Sequence, residues 1–252
     1  MKVPLVAGNW KMNLNATQAV ALASAVAERA PALAGVEVAI CAPFVYLESV
    51  RRAIGSRPVA LGAQDVFYEP KGAFTGEISA AMLIDLGCHY VIVGHSERRH
   101  ILGETDEVAN RKVRAALAAG LTPILCVGEL LAEREANRTS EVIHRQIEES
   151  LADLDVGEIG RLVIAYEPVW AIGTGKVATP EQAQEVHTDL RKILRSRYNS
   201  AVVRDLRILY GGSVQPGNAD ALLKQADIDG VLVGGASLMA DEFVAIAAAA
   251  IA

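Results

Sequence analysis

Two kinds of segment alternate along the 252 residues of the chain. Short runs rich in Val, Ile and Leu recur between longer stretches in which charged and apolar residues are mixed. The short runs are apolar at both odd and even positions, which is typical of strands buried on both faces, as in a parallel sheet. We therefore predict eight strands, at residues 5–8, 36–41, 59–63, 90–93, 122–127, 162–166, 207–210 and 230–233.

The stretches between these strands carry start and stop signals for helices. Thr17 is predicted to cap a helix that runs to about Arg29, and two more helices are predicted at residues 79–86 and 105–119, each followed by a glycine. A fourth begins at Thr179, where Pro follows the cap and a Gln stands three residues after it. Strands and helices are therefore expected to alternate along the chain.

Eight such units in 252 residues average about 31 residues each, close to the size of one strand–helix–strand unit. Strict alternation fits either an open doubly wound sheet or a closed (β/α)₈ barrel. The count of eight at this length favours the barrel, and no GxGxxG motif follows an early strand to support a dinucleotide-binding sheet. No linker or shift in composition divides the chain, so we predict one domain over residues 1–252.

The amino-acid composition and net charge argue against several classes of protein. A hydrophobic fraction of 52% excludes disorder, and a net charge of −6 predicts no affinity for nucleic acid or anionic membranes. An anionic substrate would need a locally positive site. The three cysteines form no disulfide or zinc pattern, the first apolar run is too short for a signal peptide, and no apolar stretch could span a bilayer. We expect a soluble, cytoplasmic protein.

In a barrel, working residues lie at the carboxyl ends of the strands. After the first strand, Asn9 and Lys11 are predicted to point to the same side, with Lys11 either binding an anion or simply solvated. After the fourth strand, Ser96 is predicted to cap a helix whose positive end would keep His95 neutral. The alternative is a structural histidine.

The segment after the sixth strand is the most informative. Glu167 ends a buried strand, and residues 168–176 are first apolar and then glycine-rich. An apolar loop between firm ends makes a lid that excludes water when it closes, although a plain surface loop is the alternative.

Glycines follow the last two strands, at 211–212 and 234–235. They allow backbone N–H groups to approach an anion, so these two neighbouring turns predict a phosphate site. Another long loop, residues 64–78, carries Phe67, Tyr68 and Phe74. We predict that it forms a subunit interface, with packing over the barrel rim as the alternative. Cys126 is expected to be a packed side chain rather than a nucleophile.

Taken together, these motifs resemble the triosephosphate isomerase family from residue 3 to about 250. The resemblance rests on GNWKMN at 8–13, GAFTGE at 72–77, GHSERR at 94–99, AYEPVWAIGTGK at 165–176 and YGGSV at 210–214. It implies a TIM barrel that interconverts dihydroxyacetone phosphate and D-glyceraldehyde 3-phosphate in glycolysis and gluconeogenesis. It also implies a cytoplasmic homodimer joined through the 64–78 loop and no metal or organic cofactor.

The same resemblance implies the site residues. Glu167 would be the base and His95 the electrophile, Asn9 and Lys11 would bind substrate, and Glu97 would support them or handle protons. The phosphate would be held by Gly173, Ser213, Gly234 and Gly235.

The chemistry agrees with these roles, because moving a carbonyl along a carbon chain needs a base and a donor to the developing oxyanion. Desolvation is expected to raise the pKa of Glu167, and a closed lid would keep the enediolate from losing phosphate to water. A Schiff-base aldolase using Lys11 and a phosphate-binding scaffold are the rival hypotheses.

Overall fold

The computed structural model describes residues 2–171 and 178–251. Eight parallel strands form a closed barrel in chain order. Each predicted strand is confirmed with ends shifted by at most two residues: β1 Leu5–Asn9, β2 Glu37–Ala42, β3 Ala60–Ala63, β4 Cys88–Val93, β5 Thr122–Val127, β6 Val163–Tyr166, β7 Arg207–Tyr210 and β8 Gly230–Val233.

Closure of the ring decides between the barrel and the open sheet. β1 pairs with β8 in parallel, from Leu5 opposite Gly230 to Gly8 opposite Val233. Gly230 has a φ of +144°, and a Cβ there would lie 2.0 Å from the Leu5 carbonyl oxygen. Only glycine fits this contact, because both the backbone angle and the space exclude a side chain. The fold is therefore a single (β/α)₈ TIM barrel.

Alternate strand residues enter two different cores. Val6 and Ile40, for example, point outward and pack in the large core between strands and helices. Their neighbours point into the barrel and form a smaller core: Leu5, Ala7, Ala39, Cys41, Tyr90, Ile92, Ile124, Cys126, Val163, Ala165, Leu209 and Leu232. Burial on both faces explains why the strand sequences are apolar at odd and even positions alike.

Helices surround the barrel between the strands. They are α1 Ala16–Arg29, α2 Leu47–Ile54, α3 Ala80–Asp85, α4 Ser96–His100, α5 Asp106–Ala119, α6 Leu131–Glu135, α7 Thr139–Ser150, α8 Val156–Ile159, α9 Pro180–Arg197, α10 Ser200–Asp205, α11 Pro216–Leu223 and α12 Ala240–Ala248. Four 3₁₀ turns are also present in the described residues, at Ala30–Ala32, Phe44–Tyr46, Val169–Ala171 and Gly235–Leu238. None of the helices described is both long enough and apolar enough to cross a membrane.

The cap predicted at Thr179 is confirmed. The helices predicted over 79–86 and 105–119 are present as α3 and α5, with Ser79 and Thr105 as their caps. The cap predicted at Thr17 is wrong. The Asn15 side chain accepts the Gln18 N–H, and the Gln18 side chain accepts the Asn15 N–H, so the helix begins two residues earlier than Thr17 implied. This reciprocal pair satisfies two backbone donors at once, which a lone threonine cannot do.

Candidate active site

His95 follows β4 and is held by the start of α4. Its Nδ1 accepts the N–H of Glu97 at 3.2 Å, so His95 itself caps the helix. The prediction that Ser96 is the cap is therefore wrong, because Ser96 is already the first helical residue. Since Nδ1 accepts a hydrogen bond, the neutral ring carries its proton on Nε2. Nε2 is the atom that faces the centre of the site.

Glu167 follows β6 and is almost completely buried, with 2% of its surface exposed. One carboxylate oxygen lies 2.8 Å from Nε2 of His95, and the other accepts the Ser96 N–H at 2.8 Å. The Glu167 backbone N–H donates to Val127 at 2.8 Å, which fixes the chain at the end of β5. The sequence prediction that residues 95 and 167 meet at one end of the barrel matches this geometry.

The direct contact controls the pKa of both groups. Burial raises the pKa of Glu167, but the adjoining His95, the Ser96 N–H and Lys11 together lower it below its usual value. Burial lowers the pKa of His95, but Glu167, with Glu97 adding to it, raises it above its usual value. The expected rise for Glu167 is therefore wrong in this arrangement, because desolvation was considered without the partner.

Lys11 has an unusual backbone. Its φ of +52° lies in the left-handed region, so Asn9 and Lys11 are not two residues of one extended segment as predicted. The Asn9 side chain accepts the Lys11 N–H at 3.0 Å, and Gln64 donates to the Lys11 carbonyl at 2.9 Å. The ammonium group lies 2.5 Å from a carboxylate oxygen of Glu97. These bonds direct Lys11 into the same cavity as His95.

The cavity has a volume of about 570 Å³ at the carboxyl end of the strands. Its walls contain the His95–Glu167 pair and both glycine-rich turns. The lining residues include Asn9, Lys11, His95, Glu167, Ser213, Gly234 and Gly235. Glu97 is not among the lining residues and lies behind two of them, 2.5 Å from Nζ of Lys11 and 3.6 Å from Nδ1 of His95. Gly173 and most of the predicted lid lie outside the described residues.

Comparison with known proteins identifies the family. A model of the triosephosphate isomerase family matches residues 4–250. Triosephosphate isomerase of Endomicrobium trichonymphae is 56% identical over 243 residues, which are 96% of this chain and 97% of the relative. That of Thiobacillus denitrificans is 55% identical over 250 residues, 99% of both chains. The chain belongs to the triosephosphate isomerase family.

Several residues of this triosephosphate isomerase site were not predicted from sequence. Asn13, Gln215, Leu232 and Glu242 also line the cavity, and the Ser96 N–H binds Glu167. Nothing in their spacing marks them, because two lie in loops and the other two in β8 and α12, and only the closed barrel brings them to one cavity. Among the described residues, no group of three His, Cys, Asp or Glu could hold a metal ion.

The described start of the predicted lid in this triosephosphate isomerase family member is anchored to the barrel. The Trp170 indole N–H donates to a carboxylate oxygen of Glu129 at 2.9 Å, and the Val169 N–H donates to the Glu129 carbonyl at 3.2 Å. The Tyr166 hydroxyl donates to the same Glu129 oxygen at 3.2 Å. A buried carboxylate thus fastens the chain where it leaves β6.

Proposed function

We propose that this chain is a triosephosphate isomerase, an aldose–ketose isomerase that interconverts dihydroxyacetone phosphate and D-glyceraldehyde 3-phosphate through an enediolate. Membership of the family supports the activity. The observation that carries the mechanism is the 2.8 Å contact between Nε2 of His95 and Glu167 at the edge of a cavity that also contains Lys11.

Glu167 is the proposed base. Its carboxylate takes a proton from the carbon beside the carbonyl, while the Nε2–H of His95 donates a hydrogen bond to the carbonyl oxygen as negative charge develops there. Glu167 then returns the proton to the neighbouring carbon. The hydroxyl proton on the other carbon passes to the first oxygen by way of His95 Nε2, so that carbonyl and hydroxyl exchange places. When substrate takes the place of Glu167 beside Nε2, His95 loses the contact that raises its pKa most, while its burial, which lowers the pKa, remains. A neutral imidazole is therefore the proposed donor, and its hydrogen bond strengthens as the oxygen gains charge.

Substrate has to replace Glu167 as the partner of His95. When a substrate oxygen accepts the Nε2–H, the carboxylate leaves His95 and the Ser96 N–H and turns towards carbon. It then loses the two contacts that lower its pKa most, while its burial, which raises the pKa, remains. Binding therefore makes Glu167 a stronger base at the moment when it is needed.

Lys11 and Asn9 are the proposed substrate-binding residues. The Lys11 ammonium supplies fixed positive charge on a protein whose net charge is −6. Glu97 is proposed to orient that ammonium group, because one of its carboxylate oxygens lies 2.5 Å from Nζ. The Glu97 side chain itself is 44% exposed. This assigns Glu97 a supporting role in binding.

The phosphate is proposed to lie against the turns that follow β7 and β8. Ser213 and Gly234 are half-buried, and Gly235 is exposed to the cavity at the start of the Gly235–Leu238 turn. A Cβ at Gly235 would meet no other atom within 4 Å, so the backbone there is open to a ligand. Gly173 is proposed to complete the site from the lid.

Residues 168–176 are the proposed lid. Its amino-terminal end is fastened at Glu129, and α9 begins at a firmly capped Thr179. A segment held at both ends can close over the cavity without loosening the barrel.

A coupled assay with each triose phosphate tests the activity directly. We expect turnover in both directions, whereas a binding scaffold would give none. Borohydride added with substrate separates the aldolase hypothesis, since a Schiff base would be trapped at Lys11. We expect no adduct, because an ammonium group paired with Glu97 has no free lone pair for attack.

We also propose that residues 1–252 form one domain and that the chain is a cytoplasmic homodimer. The three cysteines are free, which suits a reducing compartment. Large apolar side chains are exposed around the active-site end: Met12 (96%), Val45 (81%), Ile101 (76%), Leu102 (66%) and Phe74 (41%). A second copy would remove them from water.

The 64–78 loop supports the same interface. Phe67 stacks on Tyr68 at 4.2 Å and contacts Phe74 at 4.9 Å, so the loop is partly packed on itself while its tip stays exposed. Thr75 lies at this exposed tip. We expect Thr75→Arg to shift sedimentation towards the monomer, since a charge would be buried at the contact. An unaltered dimer would contradict the loop's role.

A further inference from the structure

The helix that presents His95 cannot hold its own position. α4 has only five residues, far fewer than the roughly 12–15 that an isolated helix needs for marginal stability. His95 is therefore oriented by contacts that α4 makes with the rest of the barrel. The contacts of Arg99, on the last turn of α4, are the most instructive.

Arg99 reaches both the chain before His95 and the neighbouring strand. Its Nε donates to the carbonyl of Gly94 at 2.7 Å, and its Nη2 lies 3.3 Å from the carbonyl of Cys126 in β5. Its backbone N–H also donates to the His95 carbonyl at 3.0 Å. The peptide groups on both sides of the His95 α-carbon are thus bonded to one residue.

The contact between Arg99 and Cys126 brings this bridge, from Gly94 through the guanidinium group to Cys126, close to Glu167. Cys126 pairs with Ala165 in the β5–β6 register, and the next residue, Val127, accepts the Glu167 N–H at 2.8 Å. The guanidinium group therefore connects the backbone that carries the electrophile with β5, the strand whose end binds the backbone of the base.

Gly94 leaves room for the guanidinium group of Arg99. Its φ is +66°, and a Cβ there would lie 2.8 Å from Nη2 of Arg99. Any side chain at position 94 would collide with the guanidinium or displace it, so the close approach of Arg99 requires glycine.

The guanidinium itself is held from the outside. Its side chain is 7% exposed, and it forms an ion pair with Asp106 on α5. Ser150 on α7 lies 3.3 Å from Nη2 and donates to Asp106 at 3.3 Å. A planar group fixed by several partners has one orientation, which a flexible ammonium group would not maintain.

We propose that Arg99 is a positioning residue for the isomerisation, which sets the separation between Nε2 of His95 and the Glu167 carboxylate by tying Gly94 to Cys126. The proposal rests on the proposed function. Arg99 does not line the cavity and lies across the barrel from the glycine turns of the phosphate site. Its loss should therefore act on turnover and leave substrate binding nearly intact.

The experiment compares Arg99→Lys and Arg99→Met with Arg145→Met as a matched control. Arg145 lies 3.5 Å from the other oxygen of Asp106 but is half-exposed and contacts neither Gly94 nor Cys126 in the described residues. Arg99→Lys keeps the charge beside Asp106 and loses the planar fork, so the fold is retained. Three quantities are measured: kcat, KM and the NMR signal of the His95 Nε2 proton.

We expect kcat to fall about 10-fold in Arg99→Lys and about 100-fold in Arg99→Met, since a 1 Å misplacement can cost about that much. KM should stay within about twofold of wild type, and the His95 proton signal should shift or broaden in both variants. Arg145→Met should change none of the three by more than about twofold. If Arg99→Met does not fold, Arg99→Lys decides alone.

A folded Arg99→Lys protein with wild-type kcat and an unchanged His95 signal would overturn the proposal. So would equal losses in Arg99→Met and Arg145→Met, which would indicate that the ion pairs with Asp106 matter and the bonds to Gly94 and Cys126 do not. An inactive wild-type protein would refute the proposed function instead. In that case the His95 signal would still test the positioning by Arg99.

Discussion

Polar groups are arranged differently at the two ends of the barrel. At the amino end of the strands, the Tyr90 hydroxyl donates to Glu37 at 2.5 Å, and Arg207 donates to Glu37 at 2.5 Å and to Tyr90 at 2.7 Å. At the carboxyl end, His95 and Glu167 bond to each other on the wall of a cavity of about 570 Å³. The first group is a closed network, and the second opens onto space for a ligand.

At the amino end the polar side chains bind one another, whereas at the carboxyl end they also face a cavity and are open to a ligand. At the amino end, burial raises the pKa of Glu37, but the hydrogen bonds from Tyr90 and Arg207 lower it below its usual value. At the carboxyl end, the proposed mechanism exchanges the contact between His95 and Glu167 for contacts with substrate. This agrees with the general division of barrel enzymes between a stabilising end and a catalytic end.

The largest expected effect comes from shortening the base. Glu167→Asp withdraws the carboxylate by about one methylene, so we expect kcat to fall by about 10²- to 10⁴-fold with KM changed far less. Steady-state kinetics measure both. The matched variant at the other end, Glu37→Asp, should keep wild-type kcat and lose stability. An unchanged turnover number for Glu167→Asp would remove Glu167 from the role of base.

Removing part of the lid tests a need that only the catalytic end has. Deleting residues 172–175 should let the enediolate escape to water, where it breaks down to methylglyoxal and inorganic phosphate. Both products are measured during turnover, with Tyr90→Phe as the control at the opposite end. If the deletion variant turns over substrate without releasing either product, the lid has no protective role.

His187, a buried side chain in the helical layer around the barrel, makes the stability of the protein depend on pH. His187 on α9 is completely buried, its Nε2 has no partner in the described residues, and burial lowers its pKa to about 4. In the unfolded chain its pKa returns to about 6.5, so below that pH the unfolded state binds the extra proton. The stabilisation that comes from keeping His187 neutral is complete above pH ~6.5 and is lost as the pH falls towards ~4. The free energy of unfolding should therefore fall by roughly 2 kcal/mol between pH 7 and pH 5.

Urea unfolding of wild type and His187→Gln at both pH values measures this loss. The variant should lack about 2 kcal/mol of the decrease. His144→Gln is the control, because it makes the same substitution at an exposed histidine. Equal pH dependence in wild type and His187→Gln would mean that His187 does not titrate between the two states.

The smallest effect is expected at the closed network. Tyr90→Phe removes one hydroxyl that bonds both Glu37 and Arg207, so we expect a loss of about 1–2 kcal/mol in the free energy of unfolding. Turnover should stay within about twofold of wild type. Thermal or urea unfolding and the coupled assay measure the two quantities. A large loss of kcat without a loss of stability would break the distinction between the two ends.

Much of the fold followed from the sequence because its signals are local. Apolar runs located all eight strands to within two residues, and the cap at Thr179 and the helix predicted over 105–119 were confirmed. The two wrong caps, Thr17 and Ser96, were wrong because a better partner stood nearby. Asn15 has Gln18 to complete a reciprocal pair, and the His95 ring can accept the Glu97 N–H itself.

The chain by itself determined the alternation of strands and helices, the residues that gather at the carboxyl ends and the motifs of the family. Tertiary structure decided how those residues meet. The Ser96 N–H and Glu167 are 71 positions apart in the chain, yet they lie 2.8 Å apart once the ring closes in register. Periodicity and capping depend on neighbours within a few residues, whereas the pKa of Glu167 depends on a partner that only the closed barrel brings beside it.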